Sequence, residues 1–416
     1  MVDALATNGT KLVYRIDNTT DSTLRKYTEK DKSVKWYMTN GMSHTSNPSA
    51  RIGLSKIGYD ENYHPEQDNE NTTGAGLWVK WPNNIYEMAD GATSLYNCTG
   101  NPKTECIGTF EVDIQNNLTS FCVSSEKNKN GARTTANNLV EVKEFGTSVA
   151  QLDPFCFNRC SRLTAVTSNT SDIQTIGNYA FSDCTRLTSD IVFENATSIG
   201  DYAFNNCYKI PTVNIKNAHA IPPYAFYCCS CLTSVSADSA TTIGKCSFSG
   251  TNYKYAAPIT TVNFPSAVTI DESAFQNNRT LTNLTIDNVE TIQKNAFNGC
   301  TLLNIVNIAN ATTIYNNAFY GCKNITKVKA NKLSLIYNGA FNTSIDCEFD
   351  FTKITIPPTL KNANAFPSAN YKNWKVYVKD KATLEVYEAS PIWKTFNTKN
   401  KKGEYTRQHI FVKATA

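Results

Sequence analysis

A chain of 416 residues is long enough for two or three ordinary domains or for one repeat array, so length alone selects neither. With 41% hydrophobic and 18% charged residues and a mean hydropathy of -0.38 it can build a core, and no stretch approaches the roughly 20 apolar residues that span a bilayer, which excludes membrane insertion by a helix. The net charge of +4 is nearly balanced and no basic run stands out, so nucleic acid is not an expected partner.

The start, Met1-Val-Asp-Ala-Leu-Ala-Thr-Asn-Gly-Thr10, shows neither a basic segment nor the apolar run of a secretory signal, so classical export is not expected. Residues 1–138 hold three of the five tryptophans (Trp36, Trp78, Trp81) and short apolar runs between Gly, Pro and Asn turns, which predicts a β-rich, loop-rich module. Within it, Glu61 to Gly76 is polar enough for an exposed loop. The cluster Asp60, Glu61, Glu66, Asp68 and Glu70 reads as a solvated acidic loop rather than a catalytic carboxylate pair. Asn117-Leu-Thr-Ser-Phe-Cys122 and Asn138-Leu-Val-Glu-Val142 look like degenerate strands that cap the C-terminal part of the chain.

From Val149 onward the sequence repeats. Phe157, Phe181, Phe204, Phe226, Phe248, Phe275, Phe297, Phe319 and Phe341 recur at steps of 24, 23, 22, 22, 27, 22, 22 and 22 residues, each with an Ile or Leu five residues earlier (Leu152, Ile176, Ile199, Ile221, Ile243, Ile270, Ile292, Ile314, Ile336). Three residues after the Phe stands Cys160, Cys184, Cys207, Cys229, Cys300 or Cys322, with Thr251, Asn278 and Ser344 in the other blocks. Most of the fourteen cysteines therefore share one inward position and read as small buried thiols, not as a disulfide framework. Six residues after the Phe an Ile or Leu opens an alternating stretch, as in Leu281-Thr-Asn-Leu284-Thr-Ile286, which signals a short strand with one buried face. The long step between Phe248 and Phe275 inserts about five residues in Thr251-Asn-Tyr-Lys-Tyr-Ala-Ala-Pro258, which predicts a protruding loop.

A unit of 22 residues with one short strand fits the leucine-rich-repeat class, whose period runs from about 20 to 29. The string Ile-Gly-x-x-Ala-Phe-x-x-Cys-x-x-Leu-Thr resembles, more narrowly, the BspA-like (Treponema-type) leucine-rich repeats, over about half the chain. The expected fold is a repeat solenoid with one short β-strand per repeat and a loop or 3-10 convex side. The expected division is a β-rich module at 1–138, the array at 139–366 and a C-terminal cap and tail at 367–416. Past Phe341 the repeat decays, with a last partial unit at Asn364-Ala-Phe366. Val376-Tyr-Val378, Tyr387 and Pro391-Ile-Trp393 resemble the strand and short helix that end many such arrays, and Ile410-Phe-Val412 adds a strand.

Chemistry is hard to find. The four histidines, His44, His64, His219 and His409, are scattered, and Cys228-Cys-Ser-Cys231 has no second half-site, so no metal, cofactor or catalytic residue is expected. Phosphate loops, dinucleotide fingerprints and nucleophile elbows are missing. An enzyme is therefore not expected, although the first 138 residues leave room for one.

Two surfaces are candidates for interaction. The outward strand positions make a small, polar face that includes Asn283, Thr285, Asn307, Lys327 and Lys329. Tyr179, Tyr202 and Tyr224, each two residues before its Phe, form a row that either presents an aromatic surface or packs over the turns, with Tyr253 and Tyr255 on the inserted loop. Proteins of the resembled family are mostly surface proteins implicated in adhesion, and similar repeats occur in phage and other viral proteins. The resemblance thus implies a non-catalytic protein that binds a protein or glycan at a cell surface. The alternative is a virion component, a decoration, fibre or tail-associated protein whose residues 1–138 attach it to the particle.

Overall fold

The computed structural model describes the backbone of residues 10–16, 76–80, 86–88, 108–115 and 120–121, then residues 139–145, 149–166, 172–342, 347–366, 374–396 and the strand 411–413. The polar loop at 61–75, the acidic cluster, three of the four histidines, Trp36, Trp81 and Ser344 lie outside the described residues. Two compact units are distinguished, Met1–Asn214 and Ile215–Ala416.

In the first unit, β1 (Thr10–Ile16), β2 (Gly76–Lys80), β3 (Tyr86–Met88) and β4 (Gly108–Gln115) form an antiparallel sheet in the order β3-β2-β4-β1. Between β4 and the array lie β5 (Ser120–Phe121) and β6 (Leu139–Glu144), the two degenerate strands of the sequence. β6 pairs antiparallel with β1, Leu12 facing Val142, and in parallel with Ala165–Val166 on its other side. β5 lies parallel to Gln151–Leu152, which continues through Thr175–Ile176 to Ser198–Ile199. The phenylalanines stack inside these turns, Phe157 on Phe181 at 4.8 Å and Phe181 on Phe204 at 5.1 Å, and Phe145 closes the column edge-on at 6.1 Å.

The second unit is built from two seven-stranded parallel sheets. One stacks Ala220–Ile221, Thr242–Ile243, Thr269–Ile270, Thr291–Ile292, Thr313–Ile314, Leu335–Ile336 and Thr359–Leu360. The other stacks Thr261–Val262, Asn283–Thr285, Ile305–Asn307, Lys327–Lys329, Glu348–Asp350, Lys375–Val378 and Phe411–Lys413. The part of each turn where the spacing predicts loop or 3-10 turn therefore carries a second strand of two residues. Two residues are too few for a period-2 pattern to show, and only the in-register stacking of neighbouring turns makes a ladder of them. Phe226, Phe248, Phe275, Phe297, Phe319, Phe341 and Phe366 stack at 5.1 to 5.6 Å, so the partial unit at Phe366 completes the column.

The cysteine slot has a physical reason. The thiol is small enough for the tight turn, and in four turns it donates to the carbonyl of the Phe one turn back: Cys184 to Phe157 at 3.1 Å, Cys207 to Phe181 at 3.0 Å, Cys300 to Phe275 at 3.3 Å and Cys322 to Phe297 at 3.1 Å. Burial pushes the Cys184 and Cys300 thiols up, which keeps them protonated and inert. Asn278 fills the same slot after the insertion, donating to Ala257 O at 2.8 Å and accepting from the Leu281 N–H at 3.0 Å.

The glycine of Ile-Gly is also explained in the early turns. A Cβ on Gly200 would stand 2.3 Å from the backbone nitrogen of Asn178, and one on Gly177 would stand 2.4 Å from that of Pro154. There the glycine answers close approach of the preceding turn, not an unusual φ.

The residue before each Phe is a buried Ala in most turns, among them Ala225, Ala274, Ala296 and Ala318, but Ser247 before Phe248. The Ser247 hydroxyl is fully buried and has no hydrogen-bond partner among the described residues. Ser247→Ala is expected to raise stability by about 1–3 kcal/mol, the cost of an orphaned buried polar group. A lower urea midpoint for the variant would mean that the hydroxyl has a partner.

Candidate functional site

The outward row of the longer strands in the second unit runs Thr261, Asn283, Ile305, Lys327, Glu348, Lys375, and the row two residues on runs Thr285, Asn307, Lys329, Asp350, Tyr377. Between them Leu284, Val306, Val328, Phe349 and Val376 point into the core and are buried. Asn283, Thr285, Asn307, Lys327 and Lys329 thus share one face, as their alternation in the sequence implies. Asn307 is the least available of the five: it is half-buried and donates to Asp287 at 2.8 Å. Ile305 is not among the residues that alternation marks as polar surface, yet it is 48% exposed in the first row, flanked by Asn283 and Lys327. Its turn also exposes Leu302, so the face is polar with one apolar spot.

Two tyrosines of the row stack on one another in the first unit. Tyr202 stacks on Tyr179 at 4.7 Å with planes 4° apart, and Phe155 extends the row below Tyr179 at 4.9 Å. Phe155 is not one of the aromatic residues expected in this row, although it too stands two residues before its Phe. Stacked this way, the rings use their faces on one another and leave mainly edges to solvent. Tyr224 belongs to the second unit, where it meets Tyr227 edge-on at 5.5 Å.

Phe155, Tyr179, Tyr202 and Tyr224 all have left-handed backbones, with φ of 64° at Phe155, 58° at Tyr179 and Tyr202 and 57° at Tyr224. The same place in later turns holds Asn295, Asn317 and Gly339, residues that tolerate that region. A bulky side chain there is strained by about 1–3 kcal/mol, and ring stacking of about 0.5–1.5 kcal/mol offsets part of it.

On the inserted loop, Tyr253 and Tyr255 are 48% and 42% exposed, while Ala256 and Ala257 are buried and anchor its base. The Arg279 guanidinium lies 3.8 Å from the Tyr253 ring centroid and covers one of its faces.

One charged cluster is not legible as a site in the sequence. Glu272 bridges Lys245 at 3.2 Å and Lys294 at 2.9 Å, each from the turn on either side. Burial pushes the Glu272 carboxyl up, but the hydrogen bonds and charges of Lys294 and Lys245 outweigh it, so it titrates below its ordinary value. A depressed carboxyl stabilises the fold above its unfolded value and loses that contribution as pH falls through the folded one. Glu272→Gln is expected to cost no more than about 1 kcal/mol at pH 7 and nothing at a pH where the carboxyl is protonated. Urea titrations of both proteins at the two pH values check it, and a cost that persists in acid would assign the effect to packing.

Among the described residues no group of three or more His, Cys, Asp or Glu is placed to hold a metal ion, and no helix is long and apolar enough to cross a membrane. His219 is exposed, and its carbonyl accepts from the Thr241 N–H at 2.9 Å.

Parallel in-register turns of 22 residues around a Phe column define a leucine-rich-repeat solenoid. The chain belongs to the BspA-type leucine-rich-repeat family, whose model matches residues 150–257 and 252–372 with six copies. Among curated proteins none matches the chain. Among solved structures it is similar to a leucine-rich cell surface protein from Faecalibacterium prausnitzii A2-165, at 16% identity over 66% of this chain and 91% of that one, with a TM-score of 0.33. A leucine-rich repeat protein from Bacteroides ovatus ATCC 8483 is similar at 19% identity over 67% and 85% of the two chains, TM-score 0.32. The pneumococcal vaccine antigen PcpA is similar at 12% identity over 65% and 80%, TM-score 0.29.

Proposed function

We propose that this chain is a non-catalytic recognition protein that presents the strand face of its second unit to a protein or glycan partner at a cell surface. The observation that supports this is the contrast between the two sides of those strands. Every inward residue from Leu284 to Val376 is committed to the core, whereas Asn283, Thr285, Ile305, Lys327 and Lys329 stand exposed in register on successive strands. Side chains so placed cost the fold nothing to vary, which suits a surface whose task is contact. Family membership agrees with that use. The stacked tyrosines are better read as packing over the turns, because their faces are spent on one another.

The face has one apolar spot and no Trp or Arg anchor, so single contacts are weak and many copies act together. Beads coated with the full chain are expected to adhere to epithelial cells or extracellular matrix. Replacing Asn283, Thr285 and Ile305 together with Ala is expected to lower adhesion at least tenfold, while Tyr179→Asn leaves it unchanged. Equal adhesion by the triple variant and the parent would reject the face as the binding surface.

A further inference from the structure

The balanced charge of the chain conceals an asymmetry. Residues 321–416 carry sixteen Lys and Arg against seven Asp and Glu, a surplus of nine in a chain whose overall surplus is four. The structure gathers part of that surplus on one face. Lys327 and Lys329 point outward from one strand, and Lys375 lies two strands further along the Lys327 row. Lys332 and Lys353 are exposed at the same place in consecutive turns, three residues past Lys329 and Asp350. Adjacent strands lie about 4.8 Å apart, so the five ammonium groups are spread over three neighbouring strands.

These charges are offset only in part by carboxylates among the described residues. Among the described residues none of the five is within ion-pair distance of a carboxylate, and the two acidic residues in their midst are already engaged. Glu348 accepts from the Tyr377 hydroxyl at 3.0 Å, and Asp350 accepts from the Thr352 hydroxyl at 2.7 Å and its N–H at 3.2 Å. Five cations against the two carboxylates Glu348 and Asp350 leave a positive surplus on this stretch of sheet, which favours an anionic partner over a neutral one.

We infer that this end of the strand face binds a linear acidic polysaccharide, which rests on the reading of the face as a recognition surface. The surroundings select that class among polyanions. Lysines are point charges without the fork of Arg, and the single aromatic residue in these rows, Tyr377, is tied to Glu348 through its hydroxyl, so the successive stacking platforms and bidentate contacts of nucleic-acid recognition are missing. A folded acidic protein wants an apolar or aromatic centre, and Lys is depleted in such interfaces. A polymer following the ladder of strands leaves the lysines, crosses Ile305 and meets Thr285, Asn283 and Thr261, amide and hydroxyl groups that pair with sugar hydroxyls. Acidic polysaccharides carry both kinds of group along one chain.

The test measures binding of the full chain to immobilised hyaluronate, which is carboxylated, and to heparin, which is sulfated, with dextran, polyglutamate and single-stranded oligodeoxythymidine as comparisons. Binding to at least one acidic polysaccharide is expected, at least tenfold tighter than to polyglutamate or the oligonucleotide, and weakening steeply as salt is raised. Which of the two binds better identifies the anion. The variant Lys327→Ala, Lys329→Ala, Lys353→Ala is expected to lose at least tenfold, its Lys→Arg counterpart to keep binding, and Lys381→Ala with Lys394→Ala, on the cap, to change it less than twofold. Equal loss in the cap variant would mean that net charge acts and not this face. Equal affinity for polyglutamate or the oligonucleotide, or salt-dependent self-association seen by light scattering and abolished by the triple variant, would overturn the assignment to a polysaccharide. Adhesion to cells or matrix without binding to either polysaccharide would overturn this inference and leave the recognition surface standing, whereas absence of both would remove the two together.

Discussion

Phe297→Ala is expected to destabilise the second unit by about 3–5 kcal/mol and to turn one unfolding transition into two. The Phe297 ring lies between Phe275 and Phe319, 5.2 Å from each and within 4° of parallel to both. Removing it leaves a cavity bounded by two turns, so the loss falls on the interface that couples them as well as on the turn itself. A turn of 22 residues cannot repay the roughly 1–2 kcal/mol of backbone entropy per residue from its own few apolar side chains, and each turn therefore depends on its neighbours. With the coupling weakened, the turns on the C-terminal side, tied to the cap, are expected to outlast those on the N-terminal side. Urea unfolding followed by circular dichroism gives the size of the loss, and hydrogen exchange by peptide shows which turns open first. A loss under about 1 kcal/mol with a single transition of unchanged steepness would show that the strand ladders, not the Phe column, carry the coupling.

That column is the most legible feature of the sequence because its spacing is set by covalent geometry: one turn of chain returns the same side chain to the same axis. Phe366 can be placed from Asn364-Ala-Phe366 even where the rest of the repeat has decayed. Cys184, Cys207, Cys300 and Cys322 are legible as buried, but their bonds to the Phe carbonyls are not, since nothing in a Cys announces a donor role. The two-residue strands at Thr242–Ile243 and its neighbours lie below the length at which alternation can be read. The left-handed backbone at Tyr179 and Tyr202 is hidden for a related reason. Tyrosine does not mark that conformation, and only Asn295, Asn317 and Gly339 in the equivalent places hint at it.

The face is half legible. Asn283, Thr285, Asn307, Lys327 and Lys329 follow from alternation, whereas Lys332 and Lys353 lie past the strand ends, where period 2 has stopped and only the three-dimensional turn aligns them. Glu272 cannot be matched to Lys245 by counting, because the inserted loop lengthens that step to 27 residues. Insertions displace sequence register while leaving spatial register intact, so charge ladders across them appear only in the fold.

At the other end of the column the C-terminal cap should be as sensitive as its centre. Lys375–Val378 extends the second sheet, and α1 (Lys381–Ala389) comes next, started by Asp380, whose carboxylate accepts from the Thr383 N–H at 2.8 Å. Beyond α1, Trp393 is buried against Phe366 at 5.3 Å and Tyr387 at 5.3 Å, and its indole N–H donates to the carbonyl of Pro358 at 2.7 Å. That carbonyl immediately precedes Thr359–Leu360, the last strand of the first sheet, so one side chain covers the terminal Phe and fixes the chain at an open sheet edge. Trp393→Ala is expected to cost about 3–5 kcal/mol and to expose Phe366 together with that edge. Trp393→Phe keeps most of the ring and loses the donor, so it is expected to cost about 1–3 kcal/mol. An uncovered solenoid end is a template for another chain, and association that grows with concentration is expected in light scattering for the Ala variant and not for Phe. Should the Ala variant stay monomeric and unfold at the parent's urea midpoint, the strand Phe411–Lys413, paired to Val376–Val378, would have to be the element that closes the array.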